Sequence, residues 1–484
     1  MTPQKTLNGK TVFDKKRLAD IHKEIREVYL SDNRPWVIGY SGGKDSTTAL
    51  QLVWYALSEL PEEKRSKPVF VISSDTLVET PVIVDYITST LEKINKKAAE
   101  ANMPFTAFKL TPRIVNSFWV NLIGKGYPAP STQFRWCTER LKIRTADRFI
   151  LESVTKYGEV VMVLGVRKGE SHTRDIVIDQ YKIEGSKLSH HSRFPQSYVY
   201  MPIESFSVED VWAYLLENPS PWGNENQELF ELYKSAQEDA DILTIDKDSP
   251  PSGNSRFGCW VCTVVQKDKS MTALIDGGAT WLKPLLDFRN MLAETQIPEK
   301  KHIYRDHRRM NGKIKGMQKG ENWEIIRGPY KFEYCKEFLE KLLEAQESLR
   351  KNGPNPNITL ILPEELHEIR RIWMTQKSDW DDSAAKIYKK VTGESLDWSQ
   401  DDLGPFSKEE QDILKKICDA RKLPLRLVTK LIDVEQQMQG MTKRSSIYNR
   451  LGEVLSEDWL TEEEAKQQMA KPGAVDKKRR GLLK

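Results

Sequence analysis

Through the first half of the chain, short apolar runs rich in β-branched residues alternate with longer stretches that repeat at helical spacing. Val37 to Tyr40, Val69 to Ser73, Phe105 to Leu110 and Val160 to Gly165 read as strands; Thr80 to Glu100, Glu139 to Tyr157 and Ser207 to Glu217 read as helices. Such alternation predicts an α/β fold, a mostly parallel sheet with helices on both faces. After about residue 270 it stops, and Tyr334 to Leu349, Ser407 to Lys416 and Ile432 to Met441 keep the helical period alone. A C-terminal helical region is expected there.

At 484 residues the chain exceeds what one hydrophobic core usually supports. The expected division is an α/β domain over 1–265, a helical extension with a basic patch over 266–350, a helical domain over 358–470 and a basic tail over 471–484. KNGPNPN, residues 351–357, is the clearest linker, with its prolines and glycine among polar residues. The segment PRIVNSFWVNLIGKGYPAPSTQFRW after the third strand reads, from its Pro, Gly and aromatics, as a loop laid over a site rather than as core.

Charge narrows the function classes only a little. Against 74 basic side chains stand 70 acidic ones, so the net charge of +4 does not by itself announce a nucleic-acid binder. No apolar run approaches the roughly 18 residues of a membrane span, and MTPQKTLNGK lacks the apolar core of a signal peptide. A cytoplasmic protein without a membrane partner is expected. Five cysteines in so long a chain do not make a disulfide framework.

The first chemical signal is WVIGYSGGKDSTTAL, residues 36–50. A strand runs into Ser41, Gly42, Gly43, Lys44, Asp45 and Ser46 and then into a helix, which sets the turn at the carboxyl edge of the sheet, where open α/β folds bind ligands. Glycines let backbone amides approach a polyanion, the helix N-terminus adds partial positive charge, and Lys44 adds a full one. A phosphate chain fits. A Walker A loop is excluded, because glycine and lysine do not fall in register after Gly39 and Asp45 stands where Ser or Thr would hold magnesium. SGGKDS resembles instead the signature of the PP-loop ATP pyrophosphatases, adenine nucleotide alpha hydrolase-like proteins that grip pyrophosphate and cut ATP to AMP. Ser74, Asp75 and Thr76, followed by Glu79-Thr80-Pro81, resemble the adenosine-side motif of the PAPS reductase branch. Gly165-Val166-Arg167 with Glu170, Ser171 and Arg174 resemble its later nucleotide motif, and two arginines past a strand could clamp phosphate.

The second signal is sulfur. Cys259 and Cys262 form a CxxC in GCWVCTVV, and Cys137 precedes a helix in RWCTERLKI. A CxxC in such a chain is a redox pair, a zinc site or part of an iron-sulfur site. A metal shared with Cys137 would have to be assembled by the fold. Cys335 is a candidate fourth ligand, but its helical spacing with Phe338, Leu339 and Leu342 equally fits a core thiol; Cys418 reads as core. The seven histidines form no zinc or triad spacing.

Together SGGKDS, SSDTLVETP, FWVNLIGKGYPAPSTQFRWCTERLKI, GVRKGESHTR and SRFGCWVCTVVQKDKSM resemble the DndC family of DNA phosphorothioation sulfurtransferases over roughly residues 10–350. The resemblance implies replacement of a non-bridging DNA phosphate oxygen by sulfur, with ATP pyrophosphatase activity, ATP with Mg2+ and a 4Fe-4S cluster as cofactors. It further implies DNA bound within a complex of Dnd proteins and a cysteine desulfurase as sulfur source. Carried onto this sequence, Lys44, Asp45, Arg167 and Arg174 are the expected catalytic residues. Ser41 to Ser46, Ser74, Asp75, Thr76, Gly165, Arg167 and Glu170 are expected at ATP, and Cys137, Cys259, Cys262 and provisionally Cys335 at the metal. If Cys335 does not ligate, one iron is open to sulfide; with four cysteines the cluster is structural or electron-transferring. KKHIYRDHRRMNGKIKGMQKG, residues 300–320, is either a DNA-landing patch with Tyr304 against a sugar or base, or a solvated loop. Competing readings are a sulfonucleotide reductase, a tRNA thiolation enzyme and a non-catalytic assembly module with structural zinc. The first would need a nucleophilic C-terminal cysteine, and none follows Cys418.

Overall fold

The computed structural model describes residues 13, 17–170, 172–235, 258–319, 322–377, 379, 381–398, 408–437 and 447–470. The chain forms two compact units, one of Met1–Arg113 with Trp136–Leu286 and one of Ile114–Arg135 with Asp287–Lys484.

In the first unit the elements run α1 (Leu18–Leu30), β1 (Trp36–Gly39), α2 (Lys44–Ser58), β2 (Val69–Ser74), α3 (Pro81–Glu100), β3 (Phe105–Leu110), α4 (Arg144–Tyr157) and β4 (Val160–Leu164). They continue with α5 (His172–Gln180), β5 (Leu188–His190), β6 (Ser197–Tyr200), α6 (Val208–Glu217), α7 (Asn226–Ser235) and α8 (Lys269–Asp276). The sheet order is β3-β2-β1-β4-β6-β5, parallel throughout except for the antiparallel pair β5 and β6. Side chains alternate across it. Trp36 and Ile38 join Ile25, Leu50, Val53, Ile94 and Val211 in one core layer, whereas Val37 joins Ile72, Met162 and Ile150 of α4 in the other. Helices therefore cover both faces, as the apolar strand runs predict for a parallel sheet. Each buried side chain of this size contributes roughly 1.5–3 kcal/mol relative to exposure.

The four expected strands are present within a residue or so at each end, while β5 and β6 went unread. Both are short, and what makes them strands is pairing at the sheet edge rather than any run of their own. The stretch expected as one helix from Glu139 begins as a π-helix, Thr138–Ile143, before α4.

The second unit contains α9 (Lys283–Glu294, in which the unit boundary falls), α10 (Lys301–Tyr304), the hairpin β7 (Gly316–Lys319) and β8 (Asn322–Ile325), α11 (Phe332–Asn352), α12 (Pro363–Gln376) and α13 (Ser383–Thr392). After these come α14 (Lys408–Ala420), α15 (Leu425–Gln437), α16 (Ile447–Leu455) and α17 (Glu462–Ala470). The helical region is thus interrupted by one hairpin, and the expected Ile432–Met441 helix lies in α15 up to Gln437, its remainder falling outside the described residues.

The structure corrects three expectations. The insertion after β3 is not a loop over a site: Phe118, Trp119, Val120, Leu122 and Ile123 are buried in the second unit's core. The Trp119 indole donates to the Leu360 carbonyl at 2.6 Å and the Trp373 indole to that of Ile123 at 3.0 Å, so its aromatics are fixed by partners distant in sequence. KNGPNPN is an interhelix connection inside one unit rather than a boundary, since Gln346 on α11 accepts the Leu360 amide at 2.8 Å and Arg350 donates to the Ile358 carbonyl at 2.9 Å. Residues 266–286 belong with the first unit, so the 266–350 extension is not a domain of its own.

Glu365 on α12 is fully buried, and burial pushes its carboxyl up to about 7 although its Oε2 accepts the Leu362 amide at 2.9 Å. A carboxyl raised above its unfolded value contributes stability that is present at acid pH and lost as pH rises through the folded value. The second unit should therefore lose roughly 3 kcal/mol between about pH 4.5 and pH 8 from this group. Urea melts of Glu365→Gln across that range should show the slope flattened; an unaltered pH profile would exclude Glu365 as its origin.

Candidate functional site

The glycine turn stands where β1 meets α2, and Gly43 is the N-cap. Gly42 adopts φ +73°, and a Cβ there would meet Ile87 at 2.9 Å, so both the left-handed backbone and the space demand glycine. Ser46 organises the turn: its hydroxyl accepts the Ser41 amide at 3.2 Å and donates to the Gly43 carbonyl at 2.9 Å, with the Ser41 hydroxyl 3.1 Å away. Lys44 Nζ lies 3.1 Å from Asp45 Oδ2, and Arg167 Nε donates to Asp45 Oδ1 at 2.5 Å. Arg167 is buried.

That approach of Arg167 to Asp45 follows from the sheet. β1 and β4 are parallel neighbours, and β2 and β4 flank β1, so the chain diverges on either side of this pair and the loops after it face one another. Gly165, just past β4, lies so close to the turn that a Cβ would stand 2.6 Å from the Asp45 carbonyl oxygen. Glu170 follows in the same loop, whose Gly169 amide is held by the Asp175 carboxylate at 3.1 Å. Arg174 lies on α5, but its side chain and all of Ser171 fall outside the described residues. Sequence reading missed Tyr233 of α7, whose hydroxyl accepts the Lys44 amide at 3.4 Å and whose ring lies 5.3 Å from Lys44 Nζ. Nothing in its local pattern distinguishes it from a core aromatic.

Beyond β2, the Asp75 amide donates to the Leu110 carbonyl at 2.8 Å and its carboxylate accepts the Leu77 amide at 2.8 Å, which shapes a turn with Leu77 at φ +65°. Lys109 Nζ stands 3.4 Å from Asp75 Oδ2. Ser74 ends the strand, and the buried Thr76 donates to Glu79 Oε1 at 3.0 Å.

The cysteine pair reaches this same loop. Cys259 and Glu79 form an antiparallel bridge, the Trp260 amide donates to the Val78 carbonyl at 3.0 Å, and Cys259 Sγ is 3.3 Å from Thr76 Oγ1 and 3.6 Å from Glu79 Oε1. The Cys262 amide donates to the Cys259 carbonyl at 3.0 Å, closing the CxxC turn. Cys137 caps the π-helix carrying Lys142, whose Nζ lies 3.4 Å from Glu79 Oε1. Burial pushes the Cys259 thiol far up, Glu79 adds to this, and Lys142 and Thr76 oppose it. Burial likewise raises Cys137, with Thr138 opposing and Cys262 adding. Desolvation acts against the half-exposed Lys142 ammonium, but the Glu79 carboxylate outweighs that cost and raises it. Glu79 and Lys142 were not among the expected site residues; only proximity across the fold marks them.

The Cys137 and Cys259 thiols, each raised in part by a neighbouring thiol, are with Cys262 soft donors of the kind that thiophilic metals and iron-sulfur clusters take. As placed, no three His, Cys, Asp or Glu side chains among the described residues stand together as a metal-holding group. Cys335 lies in the second unit, buried on α11, with its thiol raised to about 11 by burial; Cys418 is buried on α14.

Much of the 300–320 segment is committed within the second unit. Arg305 donates to the Gly328 and Arg327 carbonyls at 2.8 and 2.6 Å, the Arg308 guanidinium lies 5.6 Å over the Trp459 ring, and Tyr304 packs edge-on to Tyr334. Arg309 and Lys315 are exposed. Gly320 falls outside the described residues, as do residues 255–257 and the basic KKRR tail at 477–480.

Residues 35–265 match the family model of the phosphoadenosine phosphosulfate reductase domain. An uncharacterized protein of Methanocaldococcus jannaschii is 25% identical over 243 residues, which are 50% of this chain and 39% of that protein, so the chain spans less than half the length of this relative. Among solved structures, the phosphoadenylyl-sulfate reductase of Candida auris is 16% identical over 46% of this chain and 95% of its own, with a TM-score of 0.28. The NH3-dependent NAD synthetase of Campylobacter jejuni (13% identity, 46% and 86% of the chains) and the U34-tRNA thiolase NcsA of Methanococcus maripaludis with its [4Fe-4S] cluster (13%, 59% and 80%) each reach 0.27. At those values they bear on neither substrate nor cofactor.

Gly165→Ala should force the β4 loop off the turn, lowering stability by about 1–3 kcal/mol and ATP retention with it. Denaturant melts with equilibrium dialysis of ATP check this, and a variant equal to the parent in both would show that the approach is not needed. The parallel sheet and the glycine turn at its rim accompany the family match, and residues 35–265 are similar to the phosphoadenosine phosphosulfate reductase domain.

Proposed function

We propose that this chain is an ATP-dependent sulfurtransferase of DNA backbone phosphorothioation. The observation that carries the reading is the contact of Cys259 with Thr76 and Glu79, which sets the CxxC turn against the loop expected to meet adenosine. Nucleotide and sulfur chemistry then share one rim of the first unit. A non-bridging oxygen of the DNA phosphodiester attacks the α-phosphorus of ATP and pyrophosphate leaves. A cysteine desulfurase supplies sulfur as a persulfide, a low-molecular-weight thiol reduces it to sulfide and is left in a disulfide, and that sulfide attacks the activated DNA phosphorus as AMP departs with the oxygen. Backbone amides of Ser41 to Ser46 with Lys44 hold the pyrophosphate carrying Mg2+, while Arg167 and Arg174 balance charge as the α-phosphate is transferred. Asp45 orients Lys44 and Arg167. Cys137, Cys259 and Cys262 would hold a 4Fe-4S cluster, which supplies sulfur-carrying or electron-transfer chemistry when bound. DNA is met together with other Dnd proteins.

The family match also favours a second reading, sulfonucleotide reduction. Its product is sulfite rather than pyrophosphate, so one assay with each substrate separates the two.

Anaerobically purified protein should be brown and contain iron and acid-labile sulfide; stoichiometric zinc instead would remove the cluster. Lys44→Ala and Asp45→Asn should abolish pyrophosphate release while leaving the colour, and Cys259→Ser should bleach the protein. Retained pyrophosphate release in both turn variants would reject the ATP assignment.

For the DNA surface, Arg309→Glu with Lys315→Glu should weaken DNA association and reduce the slope of log K against log salt by about one for each phosphate no longer neutralised. These two are chosen because they are exposed, whereas Arg308 packs on Trp459. An unchanged slope would place the DNA track elsewhere.

A further inference from the structure

A cavity of about 550 Å³ opens in the first unit beyond the carboxyl end of β6, one strand past the β1/β4 pair that carries the glycine turn. Small-molecule sites occupy roughly 300–1,000 Å³, so the size is that of a mononucleotide or a phosphorylated sugar. None of its lining residues belongs to the turn, the adenosine loop or the cysteine cluster.

Its chemistry is two-sided. Lys168, Lys182 and Lys187 line it with Glu24 and Glu204, leaving one net positive charge in the lining. Lys168 Nζ lies 2.6 Å from Asp179 and 3.6 Å from Glu204, Lys187 Nζ 2.9 Å from Glu24, and Lys182 Nζ only 4.0 Å from Glu204, so Lys182 is the loosest-held of the three cations. The lysine side chains are 40%, 53% and 60% exposed, which sets their ammonium groups at a wet rim able to exchange a carboxylate for an incoming anion. Deeper, Tyr200 lines the same cavity, is only 2% exposed, and its hydroxyl has no hydrogen-bond partner among the described residues. A buried phenol left unpaired costs about 1–3 kcal/mol, a penalty that a ligand hydroxyl or amino group would relieve. Ile21, Pro202 and Phe206 add an apolar wall.

We propose that this cavity binds a phosphorylated small molecule of mononucleotide size, at a site separate from the glycine turn. The phosphate sits among Lys168, Lys182 and Lys187; a hydroxyl or amino group of the ligand meets Tyr200 and the carboxylates of Glu24 and Glu204; the flat apolar part lies on Phe206 and Pro202. Lys168 directly follows Arg167, so one loop offers a cation to each site. The proposal does not rest on the sulfurtransferase reading, because it needs nothing from the turn or the thiols.

The probe is AMP, and the full chain carrying Lys44→Ala is used so that the turn contributes little. Equilibrium dialysis should find one AMP retained per chain, weakened about tenfold by Lys182→Glu, which turns one attraction for phosphate into a repulsion, and several-fold by Tyr200→Phe. Hydrogen–deuterium exchange should show AMP protecting residues 182–189 and 200–206. Ribose 5-phosphate in place of AMP tests whether the base contributes: weaker but still Lys182-dependent binding supports the phosphate assignment. Tyr200→Phe keeps the ring and the packing, so it remains decisive if the lysine variant folds poorly, which a thermal melt would reveal. No AMP retention at millimolar concentration, or retention that neither substitution alters, would overturn the proposal.

Discussion

The backbone of Gly165 lies directly against that of Asp45 and Ser46, with no side chain between them, and the arrangement of the first unit's chemistry depends on that approach. Because β1 and β4 are parallel neighbours at the point where the strand order reverses, the loops that leave them emerge side by side. A residue with a Cβ would drive them apart. Held together, they let buried Arg167 reach Asp45, and Asp45 in turn holds Lys44, so that three charged groups from two loops become one preorganised set. A buried arginine of this kind persists only because its carboxylate partner is fixed nearby.

The second contact of consequence is chemical rather than steric. The bridge between Glu79 and Cys259 joins the loop after β2 to a CxxC that lies between α7 and α8 in the chain. Through it the Thr76 hydroxyl, the Glu79 carboxylate, the Lys142 ammonium and the Cys259 thiol form a short polar chain. Such a chain gives a thiol both a proton acceptor and a countercharge, without which a desolvated thiolate would be costly. The second unit is organised differently: its aromatic side chains carry hydrogen bonds as well as area, with indoles from Trp119 and Trp373 satisfying carbonyls of segments far away in the chain.

Much of the first unit was legible in the chain itself. A parallel strand buried on both faces must be apolar along its length, so β1, β2 and β4 announced themselves, while β3, at the sheet edge, showed by alternation; glycines in a strand-to-helix turn have few other uses than close approach or positive φ. The CxxC and the arginine after β4 were visible as residue types at fixed spacing. The insertion after β3 was misread because Pro and Gly mark irregular backbone whether it lies on a surface or in a core, and only the positions of α11 and α12 decide which. β5 and β6 were invisible for a related reason, being short segments that become strands by pairing at an edge.

What the amino-acid order determined by itself was local: which segments are strands or helices, where glycine is required, and which side chains can hold phosphate or sulfur. Those properties follow from periodicity and residue chemistry acting over a few neighbours. The tertiary structure decided adjacency. It brought Arg167 to Asp45, Cys259 to Thr76 and Glu79, and Trp119 to Leu360, and it left the Tyr200 hydroxyl without a hydrogen-bond partner among the described residues, in a cavity wall shared with three lysines. Contacts between residues far apart in the chain depend on how strands order themselves and how helices pack, and no local pattern encodes that.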